Sequence, residues 1–400
     1  MWRATVLVLA LALRVAHAEP LIVVRAGDGS PLGLPFSGFS YPVLDDRGHI
    51  AFVGSSAVLF SGSGTALVHR VGAGDLVDGR MVAGVGAPAL GSSGCLAVRT
   101  GFGAGGAGIL RQCAGTIEVI AETGLVAPSG RTFAGFASEV AIGAADRVAF
   151  TAVLDDRSTA LFVADAAGAF TEVVRTGTPS PAGGTFSSLR ALGVSASGRV
   201  GFRGLTSDGP DGLFVWDGAA VSKLVVVGDA SPAGGAFTAI GLGAMNDAET
   251  WTFRAGVSGS RTGVFRASMA APVPAIASVA LEGEPTPVGG TFKQFASSLV
   301  PAINRAGAIA FRGSVGDGDF SGGVFLARPG STLTKVVAVG EPTAAGTLVR
   351  LREVALADDE TVLVRASLTG GTFGLFRAAG DVVEAVAVVG DSTDLGGGFR

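Results

Sequence analysis

The chain has 400 residues and a formal net charge of -4, so it lacks the basic excess that would indicate a nucleic acid or an anionic membrane as its partner. Its 64 glycines and its many aliphatic residues favour short strands joined by tight turns over helices. Its length would suit two or three ordinary domains or one large all-β array.

Residues 1–18 have the pattern of a secretory signal peptide. Arg3 gives a charged start, Ala4 to Leu13 form an apolar stretch, and Ala16-His17-Ala18 is a small-x-small cleavage site. The apolar stretch is too short for a permanent membrane span, although an uncleaved anchor is the alternative. We therefore expect a mature chain of residues 19–400 that is secreted or otherwise extracytoplasmic, in the periplasm or at the cell surface, with no integral membrane span.

A glycine recurs along the chain at intervals of 47 to 57 residues and marks the start of a repeated unit. These glycines are Gly27, Gly74, Gly124, Gly177, Gly228, Gly283, Gly340 and Gly390. A second landmark keeps phase with them, because a phenylalanine stands nine residues after six of the markers. Met81 and Leu348 occupy that position, with a small slip, in the two remaining units. Two landmarks in phase indicate tandem structural repeats.

Each unit contains four strand-length segments separated by turn residues. In the unit that starts at Gly177 they are Leu189–Val194, a strand ending at Phe202, a strand containing Phe214, and Leu224–Val227. Four short strands in about fifty residues are typical of one blade of a β-propeller. The sequence predicts an all-β fold: one seven-bladed β-propeller of four-stranded blades over residues 19–400, with a linear array of β units as the alternative.

The predicted blades start near residues 27, 74, 124, 177, 228, 283 and 340. The valine-rich strand occurs eight times, first as Leu21–Val24 and last as Val386–Val389, whereas the other strands occur seven times. A propeller closes by pairing its two ends, so we expect one of these two strands to complete a shared blade. The segment near 386–389 is the candidate closing strand.

The turn and second strand resemble the NxxGxxAF tandem repeat of a bacterial secreted family with variable C-terminal anchors. The match is cleanest at Asn304, Gly307, Ala310 and Phe311, and it is looser in the other units. That family has no established activity, so the resemblance implies export and a repeat architecture only. We expect the chain to depart from the family in having no anchor segment after the repeats.

Cys95 and Cys113 are the only cysteines, and they lie symmetrically about the turn from Gly101 to Gly108. A hairpin centred there places them opposite each other, so we predict a disulfide, with two buried thiols as the alternative. Gly101, Gly103 and Gly106 match G-x-G-x-x-G, but a strand follows instead of the helix that a dinucleotide site needs. The cysteine pair is therefore the firmer signal.

The histidines do not form a catalytic or metal-binding set. His17 lies in the signal peptide, and His49 and His69 stand singly in a turn and a strand, so we assign them structural roles. Asp208 and Asp211, with Asp317 and Asp319, lie in glycine-rich loops that could hold Ca²⁺. The same residues suit tight turns, which is the favoured interpretation. We predict no other cofactor and no metal site.

Two charges recur with the repeat. An acid follows the marker glycine in most units, and the site candidates among these acids are Asp28, Asp75, Asp229, Glu284 and Glu341. An arginine follows the second-strand core residue at Arg99, Arg203, Arg254, Arg312 and Arg365. The favoured interpretation is an arginine–carboxylate pair that locks each loop to its strand. The alternative is a ring of acids that binds a cation or a basic ligand.

These observations predict a secreted or surface-associated binding or scaffolding module whose partner is an extracellular ligand or protein. One alternative is a carbohydrate-active enzyme on a propeller, of the lyase or hydrolase type. Such an enzyme needs unrepeated carboxylates, His or Tyr at one channel mouth, and the single tyrosine and three histidines make the chain poor in two of these residue types. The other alternative is a purely structural envelope protein that associates with itself.

Overall fold

The structure, a computed structural model, describes residues 40–44, 49–54, 58–63, 66–91, 93–269, 274–296, 300–371, 373–380 and 382–388. The predicted signal peptide, the first and last marker glycines and the early valine-rich strand lie outside these residues. Within them, no helix has the length and hydropathy of a membrane span.

The described strands pair in chain order into seven antiparallel sheets, and in each sheet every long strand lies beside the next one along the chain. The strands of sheets 1 to 3 are β1 Ser40–Leu44, β2 His49–Gly54, β3 Val58–Ser63 and β4 Ala66–Val71; β5 Leu76–Val77, β6 Arg80–Leu90, β7 Leu96–Phe102, β8 Ala107–Cys113 and β9 Thr116–Glu122; and β10 Phe133–Ile142, β11 Val148–Leu154, β12 Thr159–Ala164 and β13 Phe170–Arg175. A 3-10 turn, Ala144–Asp146, precedes β11.

The strands of sheets 4 and 5 are β14 Thr185–Val194, β15 Val200–Ser207, β16 Gly212–Trp216 and β17 Val221–Val226; and β18 Phe237–Met245, β19 Thr250–Val257, β20 Arg261–Ser268 and β21 Ala275–Leu281. Those of sheets 6 and 7 are β22 Thr291–Gln294, β23 Ala302–Ile303, β24 Ile309–Gly316, β25 Gly322–Ala327 and β26 Thr334–Ala338; and β27 Pro342–Thr343, β28 Gly346–Leu356, β29 Val362–Leu368, β30 Phe373–Ala379 and β31 Val382–Val388. In sheet 6 the first strand is split between β22 and β23, which both pair with β24.

Consecutive sheets pack face to face, and first strands lie next to the first strands of neighbouring sheets, as for β6, β10 and β14. Seven consecutive four-stranded meanders stacked through their faces are the blades of a β-propeller, which confirms the predicted fold class. The short strands β5 and β27 are additions within the loops that precede β6 and β28.

The late valine-rich strand belongs to the last blade. β31 is the fourth strand of sheet 7 and pairs with β30, with Gly374 opposite Val388. Sheet 7 therefore takes its outer strand from its own repeat unit, not from another blade.

A triplet of phenylalanines forms the centre of most blades. In sheet 4, Phe202 and Phe214 are cross-strand partners whose rings stack 5.6 Å apart, and Phe186 meets Phe214 edge-on at 5.0 Å. Sheets 3, 5 and 6 repeat this arrangement. These side chains are almost completely buried, so the period of the phenylalanines is the period of the core.

The marker glycine and the core residue that follows it close one loop. Gly177 donates its N–H to the carbonyl of Phe186 over 2.7 Å, and Phe186 donates to Thr178 over 3.0 Å. In sheet 2 the partner of Gly74 is Val82, which is 1% exposed, whereas Met81 is 56% exposed. The assignment of Met81 to this position was therefore wrong. The loop is one residue shorter than that of sheet 4, and because side chains alternate between the two faces of a strand, Val82 and not Met81 faces the core.

Candidate functional site

The periodic acids fold back onto their own turns. In each described case a side-chain carboxylate accepts the backbone N–H of the residue three positions earlier: Asp75 from Gly72 at 2.8 Å, Asp229 from Val226, Glu284 from Leu281 and Glu341 from Ala338, each at 2.9 Å. A carboxylate that accepts an N–H in this way fixes a tight turn. Asp28 lies outside the described residues.

Three of the acids also pair with a basic side chain six residues earlier, on the last strand of the preceding blade. Asp229 lies 2.7 Å from Lys223, Asp75 lies 3.0 Å from His69, and Glu341 pairs with Lys335. The predicted arginine–carboxylate pair is therefore wrong for these acids. Because each carboxylate is engaged within its own turn, the geometry gives no support to a ring of acids around a ligand.

The periodic arginines connect neighbouring blades instead. The second-strand arginine of one blade donates to a first-strand backbone carbonyl of the next: Arg99 to Phe136 at 3.1 Å, Arg254 to Phe295 at 3.1 Å and Arg312 to Leu351 at 2.6 Å. The register of the first strand shifts directly after Phe136 and after Leu351, so these carbonyls lie where the ladder is irregular. The arginines thus occupy acceptors that the sheet does not use.

The five arginines are not equivalent. Burial lowers the pKa of Arg254 and of Arg312, because the guanidinium loses water when the next blade covers it. Nε of Arg203 is buried and has no hydrogen-bond partner among the described residues. Arg365 lies 3.4 Å from Glu353 on its own sheet, and both side chains are exposed. The inter-blade contact is therefore best developed at Arg99, Arg254 and Arg312.

The asparagine of the NxxG turn makes a second connection between blades. Asn304 is 4% exposed; its Oδ1 accepts the N–H of Ala308 at 2.9 Å, and its Nδ2 donates to the carbonyl of Ala357 in the next blade at 3.1 Å. Asn246 does the same one blade earlier, with Thr250 at 2.9 Å and the carbonyl of Asn304 at 2.8 Å. Asparagine suits this position because its side-chain amide has both an acceptor, which closes the turn, and a donor, which binds a carbonyl of the next blade.

Cys95 and Cys113 form the predicted disulfide, with their Cα atoms 4.5 Å apart. The pairing of Leu96 with Gln112 places the two cysteines directly opposite each other, as expected for a non-hydrogen-bonded pair. Among the described residues, the group of potential metal ligands that lies closest together is this disulfide with Asp146, and its sulfurs are already bonded to each other.

The aspartates considered for calcium serve as turn residues. Asp208 and Asp317 have φ values of +61° and +57°, a conformation that aspartate tolerates in tight hairpins. Asp211 accepts the N–H of Thr206 at 2.8 Å within the same hairpin. These contacts favour the turn interpretation; calcium binding stays an untested alternative.

A cavity of about 790 Å³ lies on sheet 2. It lies between the loop of β5 and β6, the hairpin that joins β7 to β8, and the end of β9. Its lining residues are Leu76, Gly79, Arg80, Met81, Phe102–Ala107, Glu122 and Thr123. A volume of this size is typical of sites for small ligands.

The cavity lies where the repeat is broken. In sheets 4 and 6 the marker loop touches the β-hairpin so closely that a Cβ built on Gly184 would lie 2.4 Å from the carbonyl oxygen of Ser207, and one on Gly290 2.2 Å from that of Gly316. In sheet 2 the hairpin consists of glycine and alanine, and a Cβ on the loop glycine Gly79 or on the hairpin glycine Gly105 would meet nothing within 4 Å. At these glycines the loop and the hairpin of sheet 2 are not in close contact, and the cavity lies between them.

A one-residue shortening of the loop accompanies this opening. Gly74 to Val82 is eight residues, as is Gly340 to Leu348, and in both units the loop folds into a small hairpin, β5 with β6 and β27 with β28. A second cavity, of about 380 Å³, lies beside the shortened loop of sheet 7 and is lined partly by Lys335 and Glu341. Both cavities therefore adjoin the two shortened loops.

One charged pair stands in the sheet 2 cavity. Arg80 binds Glu122 through two contacts of 2.6 Å, from Nη2 to Oε1 and from Nε to Oε2, and the two side chains are 40% and 27% exposed. Leu76 and Met81 beside them are 70% and 56% exposed. The cavity thus combines an exposed apolar wall with a solvent-accessible, bidentate ion pair.

Sequence reasoning did not find this cavity. Gly103 and Gly106 were noticed only as part of a dinucleotide-like string, and they line the cavity because they connect two strands without side chains. The signal available in the sequence is the slip at Met81, which stands seven residues after Gly74 where six markers are followed by a phenylalanine after nine; such a slip indicates a loop of different length.

The chain belongs to a family of unknown function, DUF7453, whose model matches residues 93–399. No curated protein matches it. The relationship to the tandem-repeat family with variable C-terminal anchors stays a prediction.

Several solved structures are similar to the chain at low identity. The BP39L lectin from Burkholderia pseudomallei is 12% identical with a TM-score of 0.43, over 87% of this chain and 100% of the lectin. A mutant of the Aleuria aurantia lectin in complex with Fucalpha1-6GlcNAc is 12% identical with a TM-score of 0.33, over 76% of this chain and 94% of that one. An acylaminoacyl peptidase of Pyrococcus horikoshii is 9% identical with a TM-score of 0.49; the match covers 87% of this chain and only 52% of the peptidase.

Proposed function

We propose that the protein is an exported binding module that takes a small ligand into the cavity on sheet 2. The observation that carries this proposal is the position of the cavity at a break in the repeat. In sheets 4 and 6 the common loop fills the equivalent space with backbone contacts, whereas sheet 2 leaves about 790 Å³ open and exposes apolar side chains around it. Binding sites are expected where a repeated scaffold departs from its own pattern.

The disulfide supports export, because such bonds form and persist in oxidising compartments. The ion pair supports binding over catalysis. Arg80 and Glu122 hold each other in a bidentate contact, so neither is a free acid or base beside an uncharged reactant.

The test is a ligand screen by saturation-transfer NMR with a cavity-filling variant. Ala104 lies exposed in the lining hairpin, and Ala104→Trp should fill the cavity and remove the signal of any ligand bound there. Ala219→Trp, in an exposed turn of sheet 4, is the matched control and should leave binding unchanged. Ligands that bind the wild type and Ala104→Trp equally well would refute the assignment of the site.

A further inference from the structure

We infer that the ligand of the sheet 2 cavity is a neutral molecule with adjacent hydroxyl groups and one apolar face, the chemistry of a sugar ring; this inference rests on the proposed function. It follows from the hydrogen-bonding capacity that the ion pair leaves unused and from the side chains that surround it.

The guanidinium of Arg80 has five N–H donors. It uses one on each oxygen of Glu122 and one, over 3.2 Å, on the carbonyl of Asp78. Two donors of Arg80 therefore have no partner among the described residues. The carboxylate of Glu122 likewise has about four lone-pair positions and uses two of them on Arg80. The pair thus offers donors and acceptors side by side.

A hydroxyl group is both a donor and an acceptor, so two adjacent hydroxyls can each donate to Glu122 and accept from Arg80 without disturbing the ion pair. A charged ligand cannot contact both side chains without electrostatic repulsion from one of them. A carboxylate attracted to Arg80 meets Glu122 within the same contact, and an ammonium attracted to Glu122 meets Arg80. The pair therefore selects for a neutral ligand.

The remaining lining suits the apolar face of such a ring. Leu76, Met81 and Phe102 supply aliphatic, thioether and aromatic surface, and the first two are mostly exposed and lose water when a ligand covers them. The hairpin of Gly103, Ala104 and Gly105 carries nothing larger than a methyl group, so a ring can approach it closely. An apolar surface beside a group that both donates and accepts hydrogen bonds complements a pyranose ring, which has an apolar face and hydroxyl groups at its edge.

The experiment measures affinity for a neutral methyl hexoside and for its two charged counterparts, the uronic acid and the 2-amino sugar. A panel of methyl hexosides is first screened by saturation-transfer NMR, and the tightest binder is then titrated calorimetrically with its counterparts. We expect the wild type to bind the neutral sugar at least about tenfold more tightly than either charged form.

Two variants then invert the preference. Arg80→Met leaves the carboxylate of Glu122 alone and should favour the amino sugar, whereas Glu122→Gln leaves the guanidinium and should favour the uronic acid. If the ion pair only supports the fold, both substitutions should lower the affinities for the neutral sugar, the uronic acid and the amino sugar to a similar extent. Tighter binding of a charged form by the wild type, or variants that keep the wild-type order, would overturn the inference.

The same experiments separate this inference from the proposal on which it rests. If the panel contains no binder but another small molecule binds and is blocked by Ala104→Trp, the cavity is a ligand site and the sugar inference is wrong. If ligands bind and Ala104→Trp has no effect on any of them, the site itself is wrong.

Discussion

Replacing Asn304 tests whether the NxxG turn stabilises the propeller through its own closure or through the contact with the next blade. Asn304→Ala removes the acceptor of the Ala308 N–H and the donor to the Ala357 carbonyl; Asn304 and Ala308 are buried and Ala357 is half-buried. A buried group left without a partner costs about 1–3 kcal/mol, and the half-buried Ala357 carbonyl lies at the low end of that range, so we expect the variant to lose about 2–4 kcal/mol of unfolding free energy.

Asn304→Ser separates the two contacts, and the chain itself shows what serine does there. Ser195 occupies the same position in sheet 4, and its hydroxyl accepts the N–H of Arg199 at 3.1 Å. Serine should therefore keep the turn closed while losing the contact with Ala357, at a cost of about 1 kcal/mol. Ala306→Ser, at an exposed position of the same turn, is the control and should change stability by less than about 0.5 kcal/mol.

Urea unfolding gives the free energies, and hydrogen–deuterium exchange of the peptide around Ala308 gives the local effect. The Ala308 amide should exchange faster in Asn304→Ala and at nearly the wild-type rate in Asn304→Ser. Equal losses of stability in the two variants would show that the turn bond contributes nothing and would refute the reasoning.

Four further changes test other parts of the structure. Gly290→Ala should cost about 1–3 kcal/mol more than Gly289→Ala in urea unfolding, because both residues have positive φ but only the Cβ at 290 would press on the Gly316 carbonyl; equal costs would contradict the close contact. Arg312→Met should destabilise more than Arg203→Met, since only the former orphans a carbonyl, that of Leu351, and the reverse order would exclude the inter-blade bond. Reducing the disulfide, or replacing both cysteines by alanine, should lower stability by up to about 3 kcal/mol, and alkylation followed by mass spectrometry should label Cys95 and Cys113 only after reduction. The hydroxyl and N–H of Ser158 lower the pKa of Asp156, so this aspartate stabilises the fold above its unfolded pKa of about 3.9; the advantage of the wild type over Asp156→Asn should shrink as the pH falls below that value, and a difference independent of pH would contradict it.

The architecture was predictable because it depends on a period. The loop glycine and the core phenylalanine are hydrogen-bonded to each other in each described unit that contains both, as Gly177 is to Phe186, so their constant spacing located these blades in the sequence. The disulfide was predictable for a similar reason: a hairpin centred between Gly101 and Gly108 fixes which residues face each other, and Cys95 faces Cys113.

The partners of the periodic charges were not predictable from spacing within a unit. Arg312 and Asn304 each use an acceptor in the next blade, and which carbonyl is available there depends on a shift in the strand register, such as that after Leu351. The acids paired with a nearer group, three residues back in their own turn. Recurrence showed that these residues have a structural role, but only the packing of neighbouring blades shows what they contact.

The departures from the pattern in sheet 2 belong together. This blade lacks the phenylalanine triplet and centres on Val82, Val98 and Leu110, which fill less volume, and it is the blade that carries the disulfide. A hairpin of glycine and alanine contributes little packing, so the crosslink between β7 and β8 supplies stability that the core and the hairpin do not. The blade can then keep a shortened loop and an open cavity without losing its fold. Reduction of the disulfide should for this reason weaken binding in the sheet 2 cavity before it unfolds the other blades, and hydrogen exchange measured blade by blade would show the order of these events.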